Sequence, residues 1–199
     1  MSVSVIDIKP KKPSVDEVLR YMRAGKDPDD EVILSAECGI EKIDSVGKAR
    51  VCYQKCDLEL FGDGKIRIGT LFVESRSLEK RLSGCEYAYI FAATIGTEAD
   101  RIIRAESVRS ALSGLCADAA GSAMIESACD AFNDSITDLC KAEGCATKPR
   151  FSAGYGDLSV EYQRDICALL DTKKNIGVSL GAGGMMTPTK SVTAIIGVY

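Results

Sequence analysis

Apolar and polar residues alternate from Val3 to Ile8, the period-two pattern of a half-buried strand. Lys9-Pro10-Lys11-Lys12-Pro13 cannot extend it, because each proline removes a ladder donor. Ser14 followed by Glu17 forms a capping box and predicts a helix through Val15, Val18, Leu19 and Met22, closed by Gly25. A second helix is expected from Asp29 or Asp30 through Ile33, Leu34, Cys38 and Ile40. Residues 1–46 thus read as an N-terminal strand and helical arm. The main body, residues 47–199, is expected to form one structural unit with it.

Further along, Leu58-Glu59-Leu60 and Lys65 to Ile68 alternate around a turn at Asp63-Gly64, which predicts a hairpin. Ser77 can cap a short helix through Leu78 and Leu82, and Tyr87 to Thr94 reads as a buried strand ending at Gly96. From Thr97 to about Glu143 the period is helical, with two helices meeting near Ser107. Their expected buried stripe is Val108, Leu112, Leu115, Ala119 and Met124, continued by Ala128, Phe132, Ile136, Leu139 and Cys140. After Gly144 the chain turns irregular over Lys148 to Gly156. A helix from Leu158 or Ser159 runs through Tyr162, Ile166, Leu169 and Leu170. Ile176 to Leu180 reads as a strand, Gly181 to Gly184 as a flexible turn, and Ser191 to Val198 as a last strand. Helices packed on a twisted, mainly antiparallel sheet give an α+β class.

Composition narrows the function classes. The 199 residues are 46% apolar and 27% charged, enough for an independent core. A net charge of -4 offers nothing to nucleic acid or an anionic membrane, so neither is an expected partner. The start lacks a secretory signal, and the longest apolar run, Tyr87 to Ile95, is about half a bilayer span, so the expected location is cytoplasmic. The chain has no histidine, which excludes serine–histidine and cysteine–histidine hydrolases and removes the commonest general base and zinc ligand. The 9 cysteines are scattered, and Cys52 and Cys56 lack the third member of a cluster motif, so no metal site is expected.

The loop from Arg150 to Asp157 is the strongest candidate site. Arg150 offers a planar fork for a carboxylate, Gly154 and Gly156 admit close backbone approach, and Tyr155 supplies a ring and a hydroxyl. The same residues also suit a surface arginine beside a glycine-rich turn and a packed tyrosine, and spacing leaves both readings open. Asp118, Ser122 and Glu126 follow at i, i+4 and i+8 on one helical ridge, either a solvated face or carboxylates for a cationic ligand. Gly181 to Gly184 is not followed by Lys-Ser or Lys-Thr, so a phosphate cradle is not expected.

Arg150-Phe-Ser-Ala-Gly-Tyr155 resembles the Arg-x-x-x-Gly-Tyr signature of the activation domain of cobalamin-dependent methionine synthase. The likeness continues through Tyr162 to Leu170, Ile176 to Leu180, and Met185-Met-Thr-Pro-Thr-Lys-Ser-Val192. Upstream, Phe91 to Gly96 and the Asp118 to Glu126 helix resemble the shorter, separately encoded members. Where the family has Thr-Glu-Ser before the methionine–proline segment, this chain has Gly181-Ala-Gly-Gly184. The resemblance implies a free-standing accessory module that binds S-adenosylmethionine and has no catalytic residues of its own. It would support reductive methylation of cobalamin held by a separate methionine synthase or other corrinoid protein, with a flavodoxin-like electron donor. It implies that Arg150 holds the methionine carboxylate and that Ala153 and Gly154 present backbone groups. Tyr155 would shape the pocket near the sulfonium, with Glu126 at the cationic end. The alternative is a docking or scaffold protein that grips a corrinoid methyltransferase without binding the ligand.

Overall fold

The structure is a computed structural model that describes residues 2–46 and 48–199. β1 (Ser4–Ile8) forms where the alternation places it. Ser14 then opens α1 (Val15–Met22) with a complete capping box, Ser14 N–H donating to Glu17 Oε2 at 2.8 Å and Glu17 N–H to Ser14 Oγ at 3.3 Å. The helix closes earlier than Gly25, at Arg23, whose φ of 55° makes the left-handed turn. α2 (Asp30–Asp44) follows the N-cap Asp29.

β2 (Ala49–Gly62) extends well upstream of the expected hairpin strand. Its first half lacks clean alternation because Ala49 and Val51 enter one core while Cys52 and Cys56 enter another. Asp63 and Gly64, with φ of 53° and 82°, make the tight turn into β3 (Lys65–Ile68), and β4 (Leu71–Glu74) adds an unforeseen third strand. Ser75, rather than Ser77, caps α3 (Arg76–Leu82) by accepting from Leu78 N–H at 3.0 Å.

β5 (Tyr87–Thr94) lies between β2 and β8, buried on both faces, which explains its unbroken apolar run. α4 (Thr97–Arg109) and α5 (Ala111–Ala142) meet at Ser110, which caps α5 through Ser113 N–H. The remaining elements are α6 (Tyr162–Leu169), α7 (Thr172–Ile176), β6 (Ser179–Leu180), β7 (Met186–Thr187) and β8 (Ser191–Val198). Two expectations shift here. Leu158 is buried in a loop ahead of α6, and Ile176 ends a short helix, leaving only Ser179 and Leu180 in a strand.

All pairings are antiparallel, in the order β4-β3-β2-β5-β8, with β1 on the first half of β2. One face carries α1, α2 and α5 over Tyr89, Phe91 and Ala93; the other carries α3, α6 and α7 over Ala88, Ile90 and Ala92. The architecture is α+β. Residues 2–46 share the first core, since Val18, Ala36, Ile40 and Ile43 are buried with α5 and β1 pairs with β2, so a cut at residue 46 falls within continuous packing.

α5 departs from the expected stripe. Val108, at the end of α4, is 86% exposed and Leu115 of α5 49%, while small residues bury α5 on several sides. A Cβ on Gly39 of α2 would lie 3.0 Å from the Cys116 carbonyl carbon, so the two backbones approach as only glycine permits. Among the described residues no helix is long and apolar enough to cross a membrane, and no group of His, Cys, Asp or Glu could hold a metal ion.

Burial pushes the Cys52 thiol up to about 12 and the Cys56 thiol to about 11. Such thiols are poor nucleophiles and make a poor redox pair. Iodoacetamide on the folded protein should label exposed Cys38 and spare Cys52 and Cys56 until denaturant is added. Mass spectrometry finding Cys52 and Cys56 modified at the rate of Cys38 would show that burial does not suppress their reactivity.

Candidate functional site

The last rung between β8 and the preceding loop is the bridge Phe151–Ile195, closed by Phe151 N–H to Ile195 O at 2.9 Å and the reverse bond at 2.8 Å. Beyond it the loop leaves the sheet in a turn, Tyr155 N–H donating to Ser152 O and Gly154 N–H to Leu158 O. The separation opens a cavity of about 490 Å³, an ordinary size for a small-molecule site. Its walls come from α5 (Glu126, Asn133), the loop (Arg150, Ala153, Tyr155), α6 (Gln163), β7 (Met186) and the edge of β8.

The loop is pinned at both ends. Asp157 accepts from the Ser75 hydroxyl, from Arg76 N–H at 2.9 Å and from Ser77 N–H at 3.0 Å, tying the turn to the start of α3. A Cβ on Gly156 would lie 2.7 Å from Ser77 Oγ at a φ of 57°, so this position requires glycine. The Ser75 hydroxyl and then the Ser77 amide hold the Asp157 carboxyl well below the usual carboxylate range. The sign follows: the clamp stabilises the fold fully above the unfolded value near 4 and is lost as pH falls through the lower folded value. Asp157→Asn should therefore weaken the fold at neutral pH and flatten the acid limb of a stability-versus-pH curve. A variant curve parallel to wild type below pH 5 would remove Asp157 from the account.

Arg150 is neither splayed into solvent nor free. Its side chain is 21% exposed; one terminal nitrogen donates to Glu126 Oε2 at 2.7 Å and the other to Asp130 Oδ1. Burial pulls the guanidinium pKa down, but the bonds to Asp130 and Glu126 outweigh it and the group stays charged. Lys190 extends the pattern along the helix, its Nζ 2.8 Å from Asp118 Oδ1 and 2.9 Å from Ser122 Oγ. A Cβ on Gly121 would sit 3.2 Å from the Lys190 stem, so the lysine lies across a glycine gap. The Asp118–Ser122–Glu126 ridge is thus a seam that clasps the C-terminal segment, and of its three members only Glu126 reaches the cavity.

Of the residues singled out in the sequence, Arg150, Ala153, Tyr155 and Glu126 line one cavity; Gly154 supports the turn with its N–H turned to Leu158. Tyr155 is 57% exposed and meets Phe151 edge-on at 6.2 Å between centroids. Sequence reasoning missed Asp130, although it extends the ridge by one more i+4 step. It also missed Asn133, whose buried Oδ1 has no hydrogen-bond partner among the described residues. A buried acceptor without a donor is uncommon and marks a place for water or a ligand N–H or O–H. Side by side, Arg150 and Glu126 can pair with a ligand that carries both charges, and Asn133 and Tyr155 offer a polar and an aromatic contact.

No family model and no curated protein sequence matches the chain. Among solved structures, the MetH reactivation domain bound to AdoHcy matches with a TM-score of 0.61 over 98% of this chain and 78% of that chain, at 17% identity. The match covers nearly the whole chain, so this chain has the fold of the MetH reactivation domain.

Proposed function

We propose that the chain binds S-adenosylmethionine in the Arg150 cavity and supports reductive methylation of cobalamin on a separate methionine synthase in the cytoplasm. The observation that carries this reading is the Arg150–Glu126 pair in the cavity wall. Arg150 still has N–H groups to offer a ligand carboxylate, since each terminal nitrogen carries two hydrogens. Glu126 accepts the ligand ammonium. The solved domain of the same fold is bound to AdoHcy, the demethylated form of this ligand, which supports the choice.

The ligand supplies the methyl group. The chain orients it. Cobalamin belongs to the partner, and a flavodoxin-like protein supplies the electron. The test is a melting curve with and without S-adenosylmethionine. At a hundredfold excess over Kd the ligand should add about 2.7 kcal/mol of stability. An unchanged midpoint at millimolar ligand would end the binding proposal.

A docking protein without ligand binding is the second reading. Exposed apolar side chains at the cavity margin favour it: Tyr155, Val160 beside Gly154, and Met185 next to Met186. It requires capture of a corrinoid methyltransferase by a chain whose melting point ignores the ligand.

A further inference from the structure

α5 ends in a Schellman motif, and the motif brings two cysteines together. Gly144 makes the left-handed turn at a φ of 82°, its N–H donating to Lys141 O at 3.1 Å, and Cys145 N–H donates to Cys140 O at 2.9 Å. In such a cap the residues at the two ends of the longer bond commonly place their side chains in contact. Here both are cysteines. Cys140 is fully buried in the core beneath α5, and half-buried Cys145 packs against the same core. The backbone bond also limits their separation. With one N–Cα bond at its donor end and one Cα-to-oxygen span at its acceptor end, the two α-carbons lie at most about 6.8 Å apart, within reach of a disulfide. Cys52 and Cys56 differ: four residues apart on extended β2, they are separated by roughly 13 Å and cannot bridge.

The cap sits where the two walls of the Arg150 cavity meet. One wall is α5 itself, which carries Glu126 and Asp130. The other begins at Cys145 and runs beside β8, with Ala146 N–H donating to Tyr199 O and Lys148 N–H to Gly197 O, both at 2.8 Å, before reaching Arg150. The two thiols also differ in access. Burial raises the pKa of Cys140 and shields it, whereas Cys145 reaches the surface with its thiol 4.0 Å from Glu143 O.

We propose that Cys140 and Cys145 close reversibly to a disulfide that staples the end of α5 to the segment leading to Arg150. The oxidant is a low-molecular-weight disulfide such as oxidised glutathione. Cys145 loses its proton to water, its sulfur attacks the small disulfide, and one small thiolate leaves. Cys140 then gives up its proton and attacks the Cys145 sulfur, and the second small thiolate leaves. Two protein thiols are oxidised, one small disulfide is reduced to two thiols, and an excess of the reduced thiol reverses both steps. Closure draws Cys140 Sγ away from the Tyr87 hydroxyl, 3.9 Å from it in the open pair. This chemistry is independent of what the cavity binds.

The test incubates the folded, full chain in glutathione buffers from fully reduced to fully oxidised, quenches with iodoacetamide and digests with trypsin without reduction. Cleavage after Lys141 separates the two cysteines, so the bond appears as residues 142–150 joined to residues 110–141. More than half of the chains should carry the joined peptides in oxidised buffer, run as monomers on a non-reducing gel, and return to free thiols in excess reduced glutathione. The longer peptide also holds Cys116 and Cys129, so Cys140→Ala should abolish the joined species. Its persistence in that variant overturns the assignment. If Cys140→Ala fails to fold, fragmentation of the joined wild-type peptides locates the bond instead, and a bond to Cys116 or Cys129 has the same force. Cys145 found only free, only capped by glutathione or bonded to a second chain overturns the proposal. So does a joined pair that forms only in denaturant, since the folded cap is what sets the two thiols side by side.

Discussion

Arg150→Ala is expected to weaken S-adenosylmethionine binding by about 2 kcal/mol or more, roughly thirtyfold in Kd, by deleting a charge-assisted contact to the ligand carboxylate. The effect is larger than a plain hydrogen-bond deletion for a reason visible in the wall. Arg150 also holds Glu126 and Asp130, four residues apart on α5. Without the guanidinium these carboxylates face each other as a like-charge pair, and Glu126 loses the partner that orients it. Arg150→Lys should recover little, because an ammonium cannot bridge two carboxylates and a ligand with one planar fork. Asp130→Asn separates the roles: it keeps an acceptor for Arg150, so affinity should fall only a fewfold. Calorimetry returning wild-type affinity for Arg150→Ala would remove Arg150 from the binding site.

How far these features were legible beforehand depended on whether local pattern or distant packing decides them. β5 could be read because both faces are covered and the run is unbroken. The Asp63-Gly64 turn and the Ser14–Glu17 capping box could be read because their physics lies within four residues. The first half of β2 could not, since its side chains divide between two cores whose covering elements lie far away in the chain. α5 misled the stripe analysis because its packing rests on small residues, Gly114, Ala117, Ala120 and Gly121 among them, which a search for large apolar residues passes over. The apolar stretch at Ile176 ends a short helix, and length alone does not separate that from a strand.

The candidate site divides the same way. Arg150 and Tyr155 stood out by residue type in a glycine-rich loop, and Glu126 by its ridge. Asp130 was accessible to the same ridge argument carried one turn further. Asn133 carried no local signal. It matters because among the described residues no donor reaches its amide oxygen, a fact of tertiary placement.

Phe132→Ala should be among the most destabilising single substitutions in the chain, at about 3–5 kcal/mol. Phe132 is fully buried on α5, with its ring centroid 4.6 Å from Phe91 on β5 and 5.1 Å from Tyr53 on β2. It is therefore an aromatic contact by which the long helix grips both central strands, and truncation leaves a cavity that rigid strands cannot collapse to fill. Against a total stability of about 5–15 kcal/mol the loss is severe, and the melting point should drop by roughly 10 °C. Urea titration should show a lower midpoint at unchanged slope; an unshifted midpoint would mean that α5 is held elsewhere. The same helix carries Glu126, Asp130 and Asn133, so the variant also distinguishes frame from contact. Below its melting point Phe132→Ala should bind S-adenosylmethionine within a few fold of wild type, because the head group is still met by Arg150, whereas Arg150→Ala loses the ligand while keeping most of its fold. Opposite rankings of the two variants on stability and on affinity are what a rigid frame carrying a separate polar grip requires.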